Sequence, residues 1–336
     1  MDIYVLDENL EQIACIDSYK SLIWTKRYYQ CGDFELYLPA SKSLLDVLKI
    51  DRYVVRDDDT SVMVIEKIEI DTDLENGDYI IVSGRSLESL LARRIVGSQT
   101  IINETDVVQG LKSLVEEWTT NTGITVDDSL QCEHDFITQI TGAVLLDAVS
   151  DICHRFSIGF RMTIDDFDGF LLTFYEGSEV DVVFSPEFDN LLNSRYTYDI
   201  SEYCNEAKVM GDGTGLNRLA VLIHRSPQAT GNKRRSLYVD ARDISRNDGS
   251  VSQADYIPML IERGWEKLAE HEVTETFEAE VSPNMTFRYK TDYDLGDIVT
   301  VENGYGVTAK PRIVEIIESW DDTGYSVIPT FEALEV

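Results

Sequence analysis

Basic residues are scarce in this chain. Against 62 Asp and Glu, its 336 residues include 29 Lys and Arg, a formal net charge of −33. Affinity for duplex nucleic acid comes largely from cations on phosphates, so a general nucleic-acid binder is excluded. Adhesion to an anionic membrane surface is disfavoured on the same ground. Long apolar runs are missing as well: no stretch approaches the ~18 residues that a spanning helix needs, which argues against membrane anchoring. Met1-Asp2-Ile3-Tyr4 lacks the basic start and apolar stretch of a signal peptide. The five cysteines (Cys15, Cys31, Cys132, Cys153 and Cys204) are odd in number and scattered. They read as reduced thiols of a cytoplasmically made protein, not as a disulfide framework. With four histidines and no Gly-x-Ser-x-Gly elbow, no recognisable hydrolase motif is present. What is there is 43% hydrophobic and 10% aromatic, with 17 Tyr. That is a folded, β-leaning composition, long enough for two or more domains.

Along the chain, residues 1–95 alternate in short apolar runs. Ile3, Val5 and Leu10, then Ile13 and Ile16, lie around the acidic turn Asp7-Glu8-Asn9 and read as a hairpin. Phe34-Glu35-Leu36-Tyr37-Leu38 alternates until Pro39, and Ser41 caps a short helix. Val54-Val55 and Val62 to Ile70 flank a polar turn, and Asn76-Gly77 turns the chain into Tyr79 to Val82. Ser86 is expected to cap a helix with Leu87, Leu90, Leu91 and Ile95 on one face. Residues 96–190 read as an α+β insert. Thr105 and Thr141 are expected to start its helices, and Phe160 to Ile164 and Phe170 to Tyr175 form its hairpin. Residues 191–225 and 275–336 read as a second β-region. The helix around Tyr256, Leu260, Trp265 and Leu268 lies in an insert spanning 226–274.

Several motifs invite chemistry. Gly211-x-Gly213-x-Gly215 follows a strand, but a dinucleotide fingerprint needs a wider last spacing and a helix to meet the phosphates. It reads as a glycine-rich hairpin. Asp165-Asp166-Phe167-Asp168-Gly169 suggests a calcium loop, yet the register puts Ile164 and Tyr175 where acids belong. It reads as a solvated tip, as does Asp57-Asp58-Asp59. Cys132, His134, Cys153 and His154 could offer zinc ligands, but adjacent helical residues such as Cys153 and His154 point about 100° apart. Paired carboxylates are too abundant to diagnose a glycosidase. No catalytic, cofactor-binding or metal residue is therefore assigned. One basic island stands out: Arg225, Lys233, Arg234, Arg235, Arg242 and Arg246 against Asp240 and Asp243. It is either a contact for an acidic partner or an acidic neighbouring subunit, or a flexible solvated loop.

The segment from Cys31-Gly32-Asp33-Phe34-Glu35 to Pro39-Ala40-Ser41 resembles the N-terminal signature of phage tail-tip hub proteins. These are the Tal-type, Gp37-like tail-associated proteins of long-tailed phages, relatives of the central hub of contractile tails. Ser83 to Leu87 with Leu90 to Ile95, Tyr238 to Ile244, Tyr293 to Val299, Arg312 to Glu318 and Gly324 to Phe331 are similar to the family's later blocks, in order. The resemblance implies an α+β, mainly β fold: two tube-type antiparallel β-barrels with inserted α+β subdomains. The first barrel spans 1–95 and the second 191–225 with 275–336. It also implies a homotrimer whose six barrels adapt a sixfold tail tube to a threefold tip and form the distal DNA channel or plug.

The implied partners are further copies of itself, a distal tail protein ring, the tape-measure protein and a receptor-binding or fibre protein. The implied location is the virion tail tip, after assembly in the bacterial host cytoplasm. The chain stops at Val336, just after the family's closing strand, so no peptidoglycan-cleaving activity is expected in it. The expectation is a structural protein and not an enzyme, without cofactor or metal. A cell-wall glycan hydrolase or a carbohydrate-binding module of a prophage is the alternative.

Overall fold

The computed structural model describes residues 1–73, 77–97, 99–165, 169–215, 218–246, 251–281, 286–306 and 308–333. The first block runs β1 (Ile3–Leu6), β2 (Gln12–Ile16), β3 (Ser21–Arg27), β4 (Asp33–Pro39), α1 (Lys42–Val47), β5 (Tyr53–Arg56), β6 (Val62–Asp73) and β7 (Gly77–Ser86). The β1–β2 hairpin forms because the Asp7 carboxylate accepts from the N–H groups of Asn9 and Glu11, at 2.9 and 3.0 Å. The alternation in β4 buries Phe34, Leu36 and Leu38 against Trp24 and Val82. Ser41 caps α1, its hydroxyl accepting from the Leu44 N–H at 3.2 Å. Of the expected Asn76-Gly77 turn, Asn76 lies outside the described residues.

Helix starts differ from expectation in three places. Leu87–Arg93 is a 3₁₀ helix, and the Ser86 hydroxyl does not cap it. That hydroxyl instead accepts from the Gly32 N–H at 2.7 Å. The helix ends two residues before Ile95, which is left 60% exposed. In the insert, α2 (Val107–Trp118) is capped by Asp106 and not by Thr105, because the carboxylate reaches the Gln109 N–H at 3.0 Å. α3 (Leu145–Arg155) begins at Leu145, since Gly142, with φ of 76°, turns the chain between Thr141 and the helix. The insert's strands are β8 (Thr100–Asp106), β9 (Ile124–Asp127), β10 (Glu133–Ile140), β11 (Gly159–Ile164) and β12 (Phe170–Tyr175). They make two small sheets, β8–β10 and β9–β12–β11. Their core of Leu111, Val115, Phe136, Val149 and Phe160 is continuous with Val62, Leu87 and Leu91 of the first block.

The rest runs β13 (Glu179–Phe184), β14 (Leu191–Asp199), β15 (Glu206–Met210), β16 (Ala220–His224), β17 (Ser236–Asp240), α4 (Gln253–Ala269), β18 (Thr274–Val281), β19 (Ile298–Glu302), β20 (Thr308–Ala309), β21 (Pro311–Asp321) and β22 (Gly324–Ala333). The two β-regions are joined by hydrogen bonds. One ladder runs β14-β18-β22-β21-β3-β4-β7-β6-β5-β1-β2, and its joint is the antiparallel pairing of Glu315–Trp320 with Arg27–Leu22.

The expected second β-region divides. β14 joins the ladder, but β15 and β16 pair with β17 in a separate sheet, because Ala207, Val209, Ile223 and Val239 meet Tyr256, Leu260 and Leu268 of α4. Gly264 permits that approach, since a Cβ there would lie 2.7 Å from Val209. β13, inside the expected 96–190 insert, pairs with β19 of the main sheet.

Tyr28 ties the parts together. It follows β3, is fully buried, and its N–H donates to Val314 O at 2.9 Å. Its hydroxyl lies 3.1 and 3.2 Å from the carbonyl oxygens of Ser157 and Tyr175, to which it donates. The same oxygen accepts from the Gly177 N–H and the Arg312 guanidinium, each at 3.3 Å. Gly159 and Gly296 make room for the ring: a Cβ on either would lie 2.2 or 2.4 Å from its edge. Gly159→Ala is therefore expected to cost about 1–3 kcal/mol of unfolding free energy in a urea titration. Gly304→Ala, where a Cβ meets nothing within 4 Å, stays within about 0.5 kcal/mol.

Candidate functional site

Beside Tyr28, where the first block, the insert and the C-terminal strands meet, lies a buried ion network. Arg56, at the end of β5, is wholly buried. Its guanidinium donates to Asp58 at 2.8 Å and to Glu318 of β21 at 3.0 Å. It stacks 4.2 Å from the Trp320 ring centre and 5.2 Å from that of Trp24. The Tyr325 hydroxyl donates to Glu318 at 2.9 Å. Asp59 pairs with Lys26, and with Lys290 at 2.9 Å. Burial pushes the Asp59 carboxyl up, but the Lys26 and Lys290 ammonium groups outweigh it and hold it well below the usual carboxylate range. The Asp57–Asp59 run is thus not simply a wet turn, because Asp59 is 4% exposed on its side chain. The sequence reading gave neither Arg56 nor Glu318 a site role, although each lies two residues beyond a buried aliphatic on its strand, Val54 and Ile316.

A cavity of about 500 Å³ opens next to this network, with Lys26, Asp59, Glu88, Met162 and Tyr175 in its walls. Glu88 is 7% exposed. One carboxyl oxygen accepts from the Met162 N–H at 2.6 Å, while the other has no protein partner. Burial raises the Glu88 pKa, against the Ser86 hydroxyl and the Met162 N–H, which favour the ionised form. None of the four histidines lines this cavity, and Asp58 and Asp59 are committed to cations. The arrangement is one of cohesion: Asp58, Asp59 and Glu318 pair with cations across the joint between the two β-regions.

The candidate zinc residues are not brought together as a set. Cys132, His134 and His154 share a cleft of about 800 Å³, but Cys153 is buried in the insert core. His134 packs on Phe156, with ring centres 5.1 Å apart, and His154 meets Glu332 of β22 at 3.2 Å. Among the described residues, the three acids whose ligand atoms converge are Asp151, Glu266 and Glu270. Burial and the two glutamates push the Asp151 carboxyl up to about 6. Asp166 to Asp168 of the candidate calcium loop lie outside the described residues. The glycine run closes the β15–β16 hairpin, with Gly213 and Gly215 at φ of 112° and 57°, although Leu216 and Asn217 are not described.

The basic island is ordered. It holds β17 and a 3₁₀ turn at Gly231–Lys233, and Arg225, Arg234 and Arg242 meet Glu272, Glu206 and Asp240. No helix among the described residues is long and apolar enough to cross a membrane.

Three substitutions test this junction. Arg56→Met strands Glu318 as a buried charge and is expected to cost about 3–5 kcal/mol in urea unfolding; adding Glu318→Leu recovers part of that loss. Glu88→Gln keeps an acceptor for Met162 and cannot ionise. The native preference for a protonated Glu88 stabilises the fold below the ordinary carboxylate range and is lost as pH rises towards the elevated native value. The Gln variant is therefore expected to melt higher than wild type at alkaline pH, with the gap closing in acid.

A family model described as Siphovirus ReqiPepy6 Gp37-like protein matches residues 2–331. No curated protein matches the chain. Among solved structures, the chain is similar to the 43 kDa tail protein of prophage MuSo2 from Shewanella oneidensis, at 16% identity over 98% of each chain with a TM-score of 0.63. It is similar to the tail protein from Neisseria meningitidis MC58, at 11% identity over 98% of this chain and 95% of that one, with a TM-score of 0.62. Prophage tail protein gp18 from Listeria monocytogenes EGD-e gives 11% identity, 99% and 94% coverage, and a TM-score of 0.56. At these identities the likeness is one of fold.

Proposed function

We propose that this chain, which belongs to the Siphovirus ReqiPepy6 Gp37-like family, is the structural hub of a phage tail tip or baseplate. It acts as a ring-forming adaptor between a sixfold tail tube and a threefold tip. The observation that carries this reading is a fold shared from end to end with prophage tail proteins. In this reading each half of the ladder serves as one tube-type unit, and three copies place six such units around the tail axis. Joining units in a ring also covers strand edges that would otherwise be exposed. The ring meets the distal tail protein above, the end of the tape-measure protein within, and a receptor-binding or fibre protein below. Its work is architectural, with no catalytic step.

The acidity fits this role. DNA leaving through a protein channel must not adhere to its wall, and carboxylates repel phosphate where arginines would bind it by counterion release. Gold-labelled antibody against this chain is expected to decorate the distal end of the tail in electron micrographs of intact particles. Label confined to heads or spread along the tail shaft would overturn the reading.

A further inference from the structure

The sheet of β15, β16 and β17 has two unlike faces. One packs Ala207, Val209, Ile223 and Val239 onto α4. The other places Lys208 between Leu222 and Tyr238, which flank it in register. Leu222 is 53% exposed and Tyr238 60%, two large apolar side chains in one row on an open face.

Cations surround the row. Arg218 and Arg242 share one carboxylate, Asp240, which Arg218 meets at 2.7 Å and Arg242 at 2.9 Å. Arg218 is also fixed by Gly211 O at 2.8 Å and the Tyr238 hydroxyl at 3.1 Å. Arg234 meets Glu206 at 3.0 Å. With Lys208, these are four cations to two carboxylates, in a chain whose net charge is −33. The internal pairs hold the guanidinium groups in place without neutralising the patch, because two arginines divide one aspartate. An exposed tyrosine beside fixed arginines is also the composition of a protein-binding hot spot.

We propose that this face docks on the acidic surface of a second copy of the chain, an inference that rests on the ring reading above. Taking a net-positive patch out of the total leaves the remainder more acidic than the whole, so a neighbouring copy supplies the complementary surface. A basic face on one copy meeting an acidic patch on the next is a head-to-tail contact, the kind that closes into rings. The pairing also offsets the repulsion that like-charged copies otherwise feel.

The test uses the full chain. Its mass is measured by light scattering at low and at high salt, for wild type, Leu222→Asp and Lys208→Glu, with melting curves to check folding. Both side chains are on the outer face, away from the α4 packing, so unchanged melting is expected. Wild type should assemble at low salt and weaken at high salt, since the contact is screened over about 10 Å at 0.1 M. Each variant should raise the dissociation constant about tenfold or more. Variants that assemble as wild type does overturn this face as the contact while leaving the ring reading standing. A wild type that stays monomeric at both salts overturns both. Variants that assemble normally but fail to bind a purified acidic tail protein would assign the face to that partner and overturn the second-copy contact.

Discussion

A buried tyrosine hydroxyl holds three parts of this chain in register. Tyr28 reaches partners 129, 147 and 284 residues away in sequence, in the insert and in the C-terminal strands. Its ring occupies space left by two glycines from different parts of the chain. The β21–β3 ladder passes alongside, so backbone pairing and side-chain packing converge on one place. Close packing of this kind transmits strain and resists bending. Such rigidity suits the architectural role proposed above.

The second organising feature is charge, used in opposite ways inside and outside. Inside, Arg56, Lys26 and Lys290 gather Asp58, Asp59 and Glu318 across the joint between the two β-regions. Breaking such a network is costly, though the pairs add little net stability over an apolar core. Outside, the acid surplus spreads over the surface, and the outer face of the β15–β17 sheet departs from it with a net-positive patch. That contrast is the basis of the head-to-tail contact proposed above.

Much of the fold was legible. The Phe34–Leu38 alternation, the Ser41 cap and the hairpin around Asp7 are local signals with local causes, and the structure contains each. Helix starts were less legible, because Asp106 competes with Thr105 one residue away and a glycine can move a start by several residues. Sheet membership was not legible for β13, β15 or β16: a period of two says which face is inward but not which sheet supplies the neighbours. The junction was the least visible. Asp57-Asp58-Asp59 looks like a solvated turn because its cations, Lys26 and Lys290, come from distant segments. Only Arg56 and Glu318 carried a local hint, each in phase with buried aliphatics on its own strand.

The central claim is that this chain forms a ring of paired β-units at the end of a tail. A cryomicroscopy reconstruction of the tail tip containing this chain tests it most directly. The account predicts three copies around the tail axis, with six similar β-units lining one channel. A single off-axis copy, or a ring to which this chain contributes no β-unit, would contradict it.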